Sequence, residues 1–165
     1  MEAMKRLRPE HLLRLKEQIG DQDAWGTEFG AVVFGRVNLQ LLQLGEGTLV
    51  VIDYAGLERS DVSFQREAVV ETLRKHRPRL LFVADHLTDA DVRDNLSVAL
   101  ERRGEWLLVR DSEDAPAILG KKLTPDHMAT FKQVWREGEL VSSDLRDKNT
   151  QLSTASSRLA WLWRA

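Results

Sequence analysis

The sequence predicts an α/β protein: a small, mostly parallel sheet with flanking helices, followed by a separate unit of three C-terminal helices. Three observations carry this. Short, continuously apolar runs stand at 48–53, 80–85 and 106–110, as strands buried on both faces do. Between them, apolar residues recur at helical spacing. After about Leu119 the strand-like runs stop and short helical patterns take over.

The elements follow in order. Residues 9–19 read as a helix: Pro9 suits the first helical position, Leu12, Leu15 and Ile19 share a face, and Gly20 can end it. Residues 20–30 read as a Gly- and Asp-rich loop, 31–34 as a strand closed by Gly35, and 37–44 as a helix ending near Gly45. The run 48–53, bounded by Gly47 and Gly56, is a buried strand. A helix spans 63–75, with Phe64, Ala68, Val69, Thr72 and Leu73 on its period, and Pro78 stops the connection. The strand 80–85 comes next, then a helix from a Thr88 cap to Arg103, and the strand 106–110. Strand and helix alternating on short links predict right-handed crossovers and a parallel sheet.

Thr124-Pro125-Asp126 is a strong helix start, and Met128, Phe131, Val134 and Trp135 follow before Gly138 ends it. Ser142-Ser143 caps a short polar helix to about Asn149, and Ser153 caps a last helix through Trp163. The expected domains are therefore 1–119, α/β with an N-terminal helix, and 123–165, helical.

Composition narrows the function classes. The chain has 165 residues, 42% apolar and 30% charged, which is globular usage. It has no cysteine, so disulfides, thiolate metal sites and thiol nucleophiles are excluded, which fits a cytoplasmic protein. Lys5, Arg6 and Arg8 precede no apolar stretch, so no signal peptide is expected, and no membrane-spanning run occurs. The net charge is −2, but residues 142–165 carry +2, leaving −4 on the rest. A local basic excess on a mildly acidic body suits contact with phosphate at one end.

The last helix repays attention to its faces. Ala155, Leu159 and Leu162 have the spacing by which a second helix crosses a first closely. The opposite face offers Thr154, Ser157, Arg158 and Trp161, with Ser156 at its boundary and Ser153 at the cap. Short hydroxyl side chains and an arginine there suit phosphate and base-edge contacts. The stretch 141–162, with Leu145 in the first short helix and Ser-Thr-Ala-Ser-x-Arg-Leu-x-x-Leu opening the second, resembles the winged helix-turn-helix of bacterial transcription regulators. The resemblance covers about 123–165. Arg146 stands where that family usually has a small residue, and the matching stretch ends before a wing would follow. It implies double-stranded DNA as partner, a homodimer, and Ser153, Thr154, Ser156, Ser157, Arg158 and Trp161 as DNA-contacting residues.

A second resemblance lies at 50–57 and 61–64. A buried strand ending in Asp53, an aromatic, a nearby glycine and an Asp-x-Ser helix start are similar to STAS-like domains of unknown function, over about 31–110. It implies a regulatory or dimerisation domain with a protein partner. In sigma-factor antagonists of the STAS class, a serine beside this aspartate is phosphorylated. Here Val62 follows Asp61, so the phosphorylation or partner site falls to Asp61 and Ser63, the latter also an N-cap candidate. The alternative function is a protein-interaction module without DNA binding.

A third reading is catalytic. Asp53, Asp85 and Asp111 each end or follow a strand and could gather at the carboxyl edge of the sheet, where carboxylates suit Mg²⁺. Aspartate is equally common where strands give way to loops. No phosphate-cradling glycine loop accompanies them, so the expectation is a non-enzyme without cofactor or metal. His11, His76, His86 and His127 have no ligand spacing and read as surface residues. Arg74, Lys75, Arg77 and Arg79 form a basic run at a helix end that could extend a DNA footprint.

Overall fold

The computed structural model describes residues 9–110 and 117–137 (of 134–137 only the backbone), and the chain divides into two compact units between Lys121 and Lys122. The first unit rests on a five-stranded sheet in the spatial order of the sequence. Strands β1 (Glu10–Arg14), β2 (Leu49–Asp53), β3 (Leu81–Asp85) and β4 (Trp106–Arg110) run parallel. Strand β5 (Ala117–Gly120) returns antiparallel to β4. The α/β class and the mostly parallel sheet are thus as the sequence predicts.

The connections are α1 (Leu15–Ile19) and α2 (Thr27–Leu41), then α3 (Val62–Gln65), a π-helical turn (Arg66–Val70) and α4 (Glu71–His76), then α5 (Ala90–Arg102). Right-handed crossovers between neighbouring parallel strands place all of them on one face of the sheet. The helices touch in that sequence, α2 against α3 and the π turn, and α5 against the same pair. Leu13, Val50, Ile52, Ala84, Leu107 and Val109 face this layer and join Val33, Val37, Leu41, Phe64, Leu73, Leu96 and Leu100 in one core. Each of these side chains except Ala84 is worth about 1.5–3 kcal/mol when buried.

Side chains alternate, so the other face carries the remaining residues. Leu12, Val51, Val83, Leu108 and Ile118 lie in register across all five strands. The next row toward the carboxyl ends is charged: Arg14, Asp53, Asp85, Arg110.

Several expectations are corrected. Residues 10–14 are an edge strand, not the start of a helix; main-chain pairing with β2 outweighs the helical spacing of Leu12, Leu15 and Ile19. The strand expected at 31–34 is part of α2, which turns Gly30, Val33, Val37 and Leu41 inward and runs through Gly35. Asp61, not Ser63, caps the third helix, and Asp89, not Thr88, caps α5; in both, the carboxylate takes the free N–H three residues on. Strand β5 was not expected at all.

The second unit is described through α6 (Pro125–Glu137), which starts where the sequence places it. The Thr124 hydroxyl accepts the His127 N–H at 3.3 Å. Its expected stop at Gly138, and both helices expected after it, lie outside the described residues. Among the described residues, no helix is long and apolar enough to cross a membrane.

Candidate functional site

In parallel sheets with helical crossovers, the loops after the strands gather at one edge, where ligands are bound. Here that edge carries the charged row. Asp53 ends β2 and is only 8% exposed. Its Oδ1 accepts the Ala55 N–H at 3.0 Å and the His86 Nδ1–H at 2.8 Å. Asp85 ends β3; its Oδ1 accepts the His86 backbone N–H at 3.0 Å, and its Oδ2 the Arg110 Nη2 at 2.8 Å. Asp53 and Asp85, which the sequence allows to gather at this edge, are neighbours in register. Asp111 lies outside the described residues.

The electrostatics follow from these contacts. Burial pushes the Asp53 carboxyl up, but the Ala55 N–H, His86 and the charge of Arg14 together hold it below the usual carboxylate range. His86 is raised above the ordinary imidazole value, first by its hydrogen bond to Asp53 and then by the charge of Asp85. Its side chain is 61% exposed, as expected of a surface histidine, yet it is tied to a buried carboxylate across 33 residues. Its φ is 54°, and among the described residues it is the one non-glycine with positive φ. The only trace of this in the sequence is a histidine directly after a strand-ending aspartate.

A cleft of about 480 Å³ is lined by Trp25, Glu58, Arg59, Asp91, Asp94 and Asn95, with Trp25 56% exposed. Its floor is fixed by a buried polar chain. Tyr54 Oη donates to Gln65 Oε1, Gln65 Nε2 donates to Ser60 Oγ, and Asn95 Nδ2 donates to the Ser60 carbonyl. Burial lifts the Tyr54 hydroxyl far above its ordinary pKa, so it stays a donor. Asp61 adjoins this loop, and its Oδ1 accepts both the Phe64 N–H at 2.7 Å and the Gly26 N–H at 3.1 Å. Ser63 is the second residue of α3 and half-buried.

The remaining candidates are distributed otherwise. His76 is buried at 2% exposure, not a surface residue, and its Nε2–H donates to Asn38 Oδ1 at 2.9 Å. Burial, then Lys75 and Arg79, hold its pKa down. The basic run is committed within the unit. Arg74 pairs with Glu71, and Arg77 with Glu105 and the Trp106 carbonyl. Arg79 donates to the carbonyls of Leu41 and Leu44 at the end of α2, and Lys75 lies over Phe34. Among the described residues, no group of three or more His, Asp or Glu side chains could hold a metal ion. Ser153, Thr154, Ser156, Ser157, Arg158 and Trp161 lie outside the described residues. No protein-family model, curated protein or solved structure matches the chain.

Proposed function

We propose that the chain is a DNA-binding transcription regulator, in which the C-terminal residues form a helix-turn-helix and a STAS-like α/β unit supplies dimerisation and receives a regulatory protein. The observation that carries the reading is the two-faced spacing of the last helix. Ala155, Leu159 and Leu162 suit a close crossing, while Ser157 and Arg158 face the groove. Ser153 and Thr154 serve phosphate, Ser156 stands at the boundary of this face, and Trp161 meets the DNA backbone or a partner. A compact unit from Lys122 onward, opening on the amphipathic helix α6, supports an independent module there.

Self-association is supported by the outer face of α2. Val32 and Leu39, with Leu42 at the helix end, are about half exposed or more, and Gly35 among them meets no other atom where a side chain would stand. A mid-helix glycine costs about 1 kcal/mol relative to alanine. Among the described residues nothing approaches it, whereas a second copy packed on this face would. The cleft beside Trp25, with Asp61 and Ser63 nearby, is the surface for a protein partner and favours the alternative reading, an interaction module acting without DNA.

Titration of duplex DNA at two salt concentrations, for the wild type and Arg158→Ala, tests the reading. The expected result is salt-sensitive binding, weakened in the variant with a salt slope lower by about one. Absent binding, or binding that the substitution leaves unchanged, overturns it.

A further inference from the structure

We propose that His86 Nε2 is a phosphoryl acceptor, oriented by Asp53 and served by a donor of the phosphoramidate class, in which phosphorus is bonded to nitrogen. This site is independent of whether the chain binds DNA.

An ionised carboxylate can only accept hydrogen bonds, so the ring nitrogen at 2.8 Å from Asp53 Oδ1 must carry a hydrogen. In the neutral ring that leaves the lone pair on Nε2, the opposite nitrogen of a largely exposed side chain. Asp53 is buried and held by the Ala55 N–H, so the ring is aimed from a fixed base. The backbone is fixed too: the positive φ of His86 is kept by its own N–H to Asp85. A residue held in this conformation by its surroundings is a feature of functional sites.

The surroundings suit the product. Attack by the Nε2 lone pair forms the new nitrogen–phosphorus bond as the donor's phosphorus–nitrogen bond breaks. The donor's nitrogen is already protonated, in the zwitterionic form of a phosphoramidate, so the electron pair of that bond leaves on neutral ammonia. The ring gains a positive charge, and the Nδ1–H stays against Asp53, whose carboxylate balances it. Arg110 is near enough for its charge to act on His86. Its guanidinium has five N–H donors, of which Asp85 takes one, leaving others to meet phosphoryl oxygens. The row Arg14, Asp53, Asp85, Arg110 sums to zero, so no net negative charge opposes the incoming group. The three other described histidines are placed differently: His76 is buried, His11 has a buried Nε2 without a hydrogen-bond partner, and His127 Nδ1 meets the Thr124 hydroxyl rather than a carboxylate.

The test uses the full chain with phosphoramidate as the probe and N-acetylhistidine in the same solution as the unoriented reference. Acid-labile phosphate is followed by mass spectrometry and ³¹P NMR. The expected result is labelling of His86 on Nε2 faster than the reference, lost in His86→Gln and reduced to the reference rate in Asp53→Asn. Labelling of His86 no faster than the reference, or unchanged in Asp53→Asn, overturns the proposal. The wild type alone gives a second measurement: ¹⁵N NMR of neutral His86 is expected to show the Nδ1–H form, and the Nε2–H form overturns the assignment.

Discussion

Asp61 shows how much one carboxylate can organise. A single oxygen caps α3 through Phe64 and anchors Gly26, at the start of α2, across 35 residues of sequence. Removing it leaves two N–H groups unanswered, each at a helix entrance. Asp61→Ala is expected to destabilise the α/β unit by about 1–2 kcal/mol, read as a lower urea midpoint with unchanged slope. Asp61→Asn, which keeps an acceptor, is expected to lose less. The histidines act on stability with opposite signs. His86, raised in the folded state, contributes stability that is complete below the unfolded value of about 6.5 and lost as pH rises through its folded pKa. His76, depressed by burial, behaves oppositely: stability is complete above about 6.5 and falls as pH drops through its lowered folded pKa. Urea midpoints against pH are expected to lose the alkaline decline in His86→Gln and keep the acid one.

At the scale of elements, α2 and the helix across from it are set by a close approach. A side-chain carbon on Gly30 would stand 2.8 Å from Glu67 Cβ and 3.0 Å from the Phe64 carbonyl. Those atoms belong to the π turn and α3, where backbone cannot give. Gly30→Ala is expected to cost about 1–3 kcal/mol, measured by thermal or urea unfolding. The outer face of α2 behaves differently, because among the described residues Val32, Leu39 and Leu42 on it stay about half exposed or more. Leu39, at 66% exposure, is expected to tolerate Leu39→Glu without loss of fold, while sedimentation equilibrium shifts from dimer to monomer. A monomeric wild type, or a mass distribution that the substitution leaves unchanged, overturns the assignment of this face to self-association.

This helix also shows why parts of the fold were hard to read. Its inward residues Gly30, Val33, Val37 and Leu41 follow a helical period, but Val32, Leu39 and Leu42 on the other face blur it. The cluster Ala31-Val32-Val33-Phe34 then imitates a strand. At β1 the error ran the other way. An edge strand buries little, here chiefly Leu13, so it lacks the continuous apolar signature of β2, β3 and β4. The site was legible in part for the same reason. Asp53 and Asp85 end two strands the sequence marks clearly, and parallel pairing puts them side by side. The partnership with His86 was not legible, since it depends on a loop conformation with positive φ that sequence pattern does not encode.

For the whole molecule, two units mean that stability and proposed DNA binding are separable. Arg158→Ala is expected to weaken binding to duplex DNA by about 1–3 kcal/mol while leaving the urea midpoint of the α/β unit within about 0.5 kcal/mol of wild type. A substitution that lowered both together would contradict an independent C-terminal module. The sequence by itself determined the α/β class, the three central strands and the start of α6, because those rest on local apolar runs and capping chemistry that act over a few residues. Only the tertiary structure decided the edge strands β1 and β5, the length of α2, the double role of Asp61 and the tie between Asp53 and His86. Each of these is settled by a hydrogen bond or packing contact between residues distant in sequence, whose free energy outweighs local propensity only once the sheet has formed.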